Sequence, residues 1–183
     1  MNRPAVFVDR DNTLIHDPGY LRDPNQVRLL DGVAHGIKRL RDAGYLVVVA
    51  SNQSGVARGL LTEADVACIH ARIQELLHHS GTQIDAFYYC PYLPGDEAVR
   101  PEYRVDSDLR KPRPGMLLLA AREHAIELAR SWMIGDSPRD AQAGRAAGCR
   151  TILITGPKDM PDAAVDFIEL SFANAVTRIL ATA

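Results

Sequence analysis

The chain has little that could brace a fold covalently: its 183 residues include three cysteines, Cys68, Cys90 and Cys149, an odd and scattered set. That excludes a disulfide miniprotein and suits a reducing compartment. No apolar run approaches the roughly 20 residues a membrane span needs. The opening MNRPAVFVDRD returns to charge after a short apolar stretch and carries no secretory pattern. There is no excess of charge of either sign, with 21 Lys and Arg against 23 Asp and Glu. No Lys/Arg stripe interleaved with aromatics is present, so a nucleic-acid scaffold is excluded and acidic substrates must be held by local charges. Internal repeats and low-complexity tracts are absent as well. What remains is an ordinary soluble composition, 46% hydrophobic and 24% charged. A folded chain of this length buries roughly 70% of its extended surface and needs no metal to hold a core. One domain spanning 1–183, a cytoplasmic location and a monomer are the expectations, with no membrane and no nucleic acid as partner.

Short apolar runs rich in β-branched residues recur at Ala5 to Val8, Leu46 to Ala50, Ile84 to Tyr89, Ser131 to Ile134 and Thr151 to Ile154. Their length and two-sided apolarity predict buried parallel strands. Helical patterns lie between them. Asp31 is expected to cap a helix carrying Val33, Ile37 and Leu40 and stopped by Gly44. Thr62 and Asp65 resemble a capping box ahead of Val66, Ile69, Ile73, Leu76 and Leu77. Pro114 opens a third helix toward Arg130, Pro138 a fourth ending before Gly148, and Ser171 caps a last one. This alternation predicts an α/β fold, a doubly wound, Rossmann-like, mainly parallel sheet of order 3-2-1-4-5. Such sheets bind ligands beyond the carboxyl ends of their strands. One long unpatterned stretch, from about Pro91 to Leu109, is either functional or a misread element.

Polar clusters follow the strands where ligands should sit. After the first, Asp9-Arg10-Asp11-Asn12-Thr13 places two carboxylates one residue apart ahead of a turn-forming Asn, so both can face one ligand. One carboxylate can attack a phosphate and the other can handle protons; the bland alternative is an Asp-rich turn. Ser51-Asn52-Gln53-Ser54-Gly55 ends the second strand with a hydroxyl, an amide and backbone N–H groups, a weak signal by itself. Arg110-Lys111-Pro112-Arg113-Pro114 brings cations to a helix start, as either phosphate ligands or a solvated turn. Gly135-Asp136-Ser137-Pro138-Arg139-Asp140 ends the fourth strand. In the 3-2-1-4-5 order the first and fourth strands are neighbours, which brings Asp136 beside Asp9 and Asp11. Hard oxygen donors without His or Cys favour Mg²⁺.

Taken together, Asp9-x-Asp11-x-Thr13, Ser51, Lys111 and Gly135-Asp136-x3-Asp140 resemble the four signature motifs of the haloacid dehalogenase (HAD) superfamily of phosphatases, over Val6 to Asp140. The resemblance implies Asp9 as nucleophile, Asp11 as general acid and base, and Ser51 and Lys111 as phosphoryl ligands. It implies Mg²⁺ held by Asp9, by the backbone carbonyl of Asp11 and by Asp136, with Asp140 orienting Lys111 or a metal-bound water. Asp17-x-Gly19-Tyr20, Ser51 to Gly59, Tyr89-Cys90-Pro91 and Arg110 to Met116 narrow it to the branch that contains heptose-bisphosphate and histidinol-phosphate phosphatases. This branch has no large cap. By that resemblance Thr13 and Asn52 join the substrate-binding set, and Arg58 and Arg110 contact the sugar and its other phosphate. Substrate choice falls to the loops at Asp17 to Arg28, Gly55 to Leu60 and Pro91 to Arg110.

Two departures stand out. Asn12 replaces the usual Gly, but Asn tolerates a left-handed backbone. In the loop after Cys90, many relatives carry a zinc site of pattern C-x-H and C-x-C. Here the corresponding residues are Cys90-Pro91-Tyr92 and Ser107-Asp108-Leu109. One thiolate cannot build a tetrahedral site, so no structural zinc is expected. Asp96, Glu97, Asp106 and Asp108 read as solvated acids. Cys68 and Cys149 read as small buried hydrophobes, Trp132 as core, and the histidines as surface or packing residues. The expected activity is Mg²⁺-dependent hydrolysis of a phosphomonoester on a small phosphorylated metabolite, foremost a heptose 1,7-bisphosphate. Histidinol phosphate or another small phosphomonoester is the alternative. A phospho-receiver signalling domain is disfavoured, because a receiver has no use for a proton-handling residue at Asp11.

Overall fold

A computed structural model of the chain describes residues 2–155 and 165–182. Strands β1 (Ala5–Val8), β2 (Leu46–Asn52), β3 (Ala86–Cys90), β4 (Trp132–Gly135), β5 (Arg150–Ile154) and β6 (Phe167–Glu169) form one sheet in the order β3-β2-β1-β4-β5-β6. Every pairing is parallel; Val6 lies opposite Val47 on one side and Trp132 on the other. The expected order 3-2-1-4-5 is present and β6 extends it by one short strand. Three residues are too few to show a periodic signal, which is why the sequence pattern did not reveal it.

Helices α1 (Val33–Asp42), α2 (Glu63–His79), α3 (Gly115–His124), α4 (Pro138–Ala147) and α5 (Phe172–Ala181) cover both faces. Val6 and Val8 join Ile37, Ile69, Ile73 and Val176 in one buried cluster, so α1, α2 and α5 share a face. Ala5 and Phe7 turn the other way and join Met116, Leu117, Ala120 and Ala147 from α3 and α4. Each strand residue of β1 is therefore buried on its own side, as the unbroken apolar run requires.

Side chains cap α2 and α5 as expected, whereas α1 and α3 start without a side-chain cap. Thr62 and Asp65 form the reciprocal box, Thr62 N donating to Asp65 Oδ2 at 2.8 Å and Asp65 N to Thr62 Oγ1 at 3.0 Å. Ser171 Oγ accepts from Asn174 N at 3.2 Å at the start of α5. Asp31, expected to cap α1, does not: the cap is Gly32, at φ 78, with no side-chain hydrogen bond. A left-handed entry admits glycine more readily than Asp31, which overrides the side chain's capping preference. α3 stops at His124, short of Arg130, because Ala125 takes φ 51 and a separate 3₁₀ turn occupies Leu128–Arg130. Cys68 is exposed on α2, not buried as expected, while Cys149 is buried. No helix among the described residues is long and apolar enough to cross a membrane.

Candidate active site

The carboxyl ends of β1, β2 and β4 open into a cavity of about 200 Å³ lined by Asp9, Asp11, Asn12, Asn52, Lys111, Asp136, Ser137, Arg139 and Asp140. Residues up to 131 apart in the chain thus meet because β1 lies between β2 and β4 in the sheet. Asn12 makes the turn behind β1 at φ 54, the left-handed conformation expected of it. Gly135, at the end of β4, is required by a close approach: a Cβ there would lie 2.3 Å from Asp140 Oδ2.

Lys111 sits at the centre, 2% exposed. Its Nζ donates to Asp9 Oδ1 at 2.8 Å and to the Ala50 carbonyl at 2.6 Å, and pairs with Asp140 Oδ1 at 2.6 Å. Burial opposes its charge, but Asp9 and Asp140 outweigh it and hold the ammonium above its ordinary range. The Lys111 backbone is pinned to Asn52, whose Oδ1 accepts from Lys111 N and whose Nδ2 donates to Lys111 O, both at 3.0 Å. Asp140 Oδ2 also accepts from Ser137 N at 3.0 Å. Asp140, expected to orient Lys111 or a metal-bound water, thus lies in direct contact with the Lys111 ammonium.

Asp11 lines the same cavity but is held differently. Arg10 Nε donates to its Oδ1 at 2.8 Å and Arg10 Nη2 to its Oδ2 at 3.1 Å. Gln53 closes a ring, Nε2 donating to Asp11 Oδ2 at 2.8 Å while its Oε1 accepts from Arg10 Nη2 at 2.9 Å. Burial pushes the Asp11 carboxyl above its ordinary range, against the pull of Arg10. Neither Arg10 nor Gln53 was singled out from the sequence. Both lie inside motif segments, and an Arg between two Asp was the available signal.

The remaining expected residues are placed as follows. Ser51 is buried, its Oγ accepting from Gln53 Nε2 at 2.9 Å. Thr13 is fully buried with its hydroxyl unpaired. Arg58 pairs with Glu97, and Arg110 donates to the Tyr92 carbonyl at 3.2 Å. None of these four lines the 200 Å³ cavity, whereas Asp9, Asp11, Asn52, Lys111, Asp136 and Asp140 all do.

Carboxylate oxygens of Asp9, Asp136 and Asp140 lie within 4.8 Å of one another. Burial first, then repulsion from Asp9 and Asp140, pushes Asp136 up to about 6. One lysine cannot neutralise three converging acids, and an all-oxygen donor set fits a small hard divalent cation. Asp140 has both oxygens engaged, Oδ1 by Lys111 and Oδ2 by Ser137 N, whereas Lys111 takes only Oδ1 of Asp9, so Asp9 and Asp136 are the side chains best able to hold it.

A HAD-hydrolase-like family model matches residues 108–174. The D-glycero-D-manno-heptose-1,7-bisphosphate 7-phosphatase of Thermosynechococcus vestitus is 44% identical over 156 residues, 84% of this chain and 80% of that protein. The D-glycero-beta-D-manno-heptose-1,7-bisphosphate 7-phosphatase of Escherichia coli K12 is 38% identical over 175 residues, 93% and 91% of the two chains. The crystal structure of D,D-heptose 1,7-bisphosphate phosphatase from B. bronchiseptica, complexed with magnesium and phosphate, superposes with a TM-score of 0.82 at 32% identity, covering 98% of this chain and 99% of that one. On this likeness and the motif residues gathered in one cavity, the chain belongs to the D-glycero-D-manno-heptose-1,7-bisphosphate 7-phosphatase family of HAD-like hydrolases.

Proposed function

We propose that this chain, acting as a monomeric, cytoplasmic, single-domain enzyme, removes the 7-phosphate from D-glycero-D-manno-heptose 1,7-bisphosphate through an aspartyl-phosphate. The observation that carries this reading is the cluster of Asp9, Asp136, Asp140 and Lys111 in one cavity at the carboxyl ends of the strands. Asp9 and Asp136, with the Asp11 backbone carbonyl that the resemblance implies, would hold Mg²⁺, which would supply the positive charge that lets a carboxylate approach a phosphate.

Lys111 engages Asp9 Oδ1, fixing the carboxylate's plane and leaving Oδ2 to attack phosphorus. As the bond from phosphorus to the sugar oxygen breaks, Asp11 gives its proton to that oxygen and the sugar leaves as an alcohol. Asp11, now a carboxylate, takes a proton from water. The water oxygen bonds to phosphorus, the bond to Asp9 breaks, and inorganic phosphate departs. Burial favours the protonated Asp11 needed for the first half, and Arg10 favours the carboxylate needed for the second. Asn52 and Lys111, which line the cavity, hold the reacting phosphoryl group, with Ser51 and Thr13 completing the substrate-binding set from buried positions beside it. Arg58 and Arg110 serve the substrate's second phosphate.

The test is a phosphate-release panel with Mg²⁺ comparing both anomers of heptose 1,7-bisphosphate, histidinol phosphate and common sugar phosphates. The bisphosphate is expected to give the highest kcat/KM. Asp9→Asn should lower turnover by about a thousandfold or more, as loss of a covalent nucleophile does. Parental phosphate release by that variant would remove Asp9 from the mechanism, and preference for histidinol phosphate would reassign the substrate.

A further inference from the structure

The charge of Lys111 is matched within the cavity by Asp9 and Asp140. Arg139 is not matched. It stands in the first turn of α4, exposed, one residue before Asp140. Its Nε donates to Ser137 Oγ at 2.9 Å, which aims the guanidinium and leaves both Nη groups available. Among the described residues, no carboxylate forms an ion pair with it.

Beside the 200 Å³ cavity lies a second, of about 250 Å³, bordered by Asp17, Gly19, Tyr20, Gln53 and Ser54. Three residues line both: Asp11, Asn52 and Arg139. Arg139 is the only cation of the three. Near it, behind the residues that line the two cavities, lies Arg110, half-buried and donating to the Tyr92 carbonyl. Burial pushes the Arg110 guanidinium below its ordinary range, and the neighbouring Arg139 and Arg58 push it further the same way. Arg58 has Glu97 as its partner, but Arg139 and Arg110 form no ion pair among the described residues, and two such neighbouring guanidiniums are relieved by a dianion, whose oxygens the planar forks can take in pairs.

We propose that Arg139 is a specificity-determining residue that spans the two cavities and, with Arg110, grips the phosphate that is not hydrolysed. This rests on the phosphatase reading above and adds to it a residue from the turn that also carries Asp136 and Asp140. Two adjoining cavities joined at a cation suit a substrate with two anionic groups on one small carbon frame. A monophosphate fills the first and leaves the second without its anion.

The experiment measures kcat and KM of the wild type, Arg139→Ala and Arg139→Lys with heptose 1,7-bisphosphate and with p-nitrophenyl phosphate, which lacks a second anion. The ratio of kcat/KM for the bisphosphate to that for p-nitrophenyl phosphate should fall about tenfold in Arg139→Ala, chiefly through KM. Arg139→Lys should recover part of it, since charge returns without the fork. An equal loss on both substrates, or an unchanged ratio, overturns the proposal while leaving the phosphatase reading intact. A wild type that releases phosphate from neither substrate overturns the phosphatase reading itself, and this one with it.

Discussion

The crevice around Lys111 and the loop between β3 and α3 are both dense in charge, but the charge does different things in each. In the crevice Asp9, Lys111 and Asp140 are all less than a tenth exposed, and each ion pair is held away from water. In the loop, Arg113 reaches Asp106 at 2.7 Å and Asp108 at 3.7 Å, and Arg104 reaches Asp96 at 3.7 Å, with every partner open to solvent. Solvent screening leaves such exposed pairs with little energy. The loop is held instead by apolar contacts among Ala57, Leu93, Ala98 and Tyr103, and by Glu63 on α2, which accepts from the hydroxyls of both Tyr89 and Tyr103. Buried charge is coupled strongly enough to do chemistry. Exposed charge leaves shape to packing and neutral donors.

The largest test of that contrast is Lys111→Met. It should lower turnover by about a thousandfold, because Asp9 loses the group that orients it, as removal of a positioned catalytic partner does. It should also destabilise the fold by roughly 3–5 kcal/mol by leaving two buried carboxylates uncompensated. Chemical denaturation with and without Mg²⁺ reads the second effect. A cost below about 1 kcal/mol, the range of an exposed pair, would place the crevice in the same class as the loop.

His70 on α2 marks the boundary between the two regions. Its ring stacks on Phe87 at 4.6 Å and meets Tyr89 edge-on at 5.7 Å, and its Nε2 has no hydrogen-bond partner. Burial first, and Arg10 second, push its pKa down to about 3 from 6.5. The unfolded chain therefore takes up a proton near pH 6.5 while the folded one stays neutral until about pH 3. Stability that is complete above pH 6.5 is lost as the pH falls below it, by about 2 kcal/mol at pH 5. His70→Phe keeps a stacking ring and removes the titration. Urea midpoints at pH 8 and pH 5 should fall further apart in the wild type than in the variant; equal falls would show that His70 is not held neutral.

What could be read from the chain and what could not divides along the same line. Strands β1, β2, β4 and β5 were legible because two-sided burial writes an unbroken apolar run, and α2 because Thr62 and Asp65 sit in local capping register. Asp9, Lys111 and Asp136 were legible because each follows a strand or opens a helix, where the topology puts ligands. The ring of Arg10, Asp11 and Gln53 was not, since its closing bonds join residues 42 and 43 positions apart. Nor was the lack of a counter-ion for Arg139 among the described residues, a property of space that no segment records. Cys68 shows the reverse error: a residue type usually buried lies on the exposed side of α2, because a helix face is decided by angle and not by composition.

The smallest effects belong to the loop, and they separate its two kinds of contact. Tyr103→Phe removes one of the two hydroxyls on Glu63, whose carboxylate those bonds hold below its ordinary range. Asp106→Asn removes the exposed partner of Arg113 at the same ionic strength. Limited proteolysis of the loop reports how often it opens without requiring global unfolding. Cleavage should rise severalfold in Tyr103→Phe, because the hydroxyl joins the loop to α2 across 40 residues of chain. In Asp106→Asn it should stay at the wild-type rate, because water replaces that partner at almost no cost. If the two variants opened alike, surface ion pairs would be contributing to the loop's shape as much as the tyrosine does, and the division between buried and exposed charge would fail where it is easiest to measure.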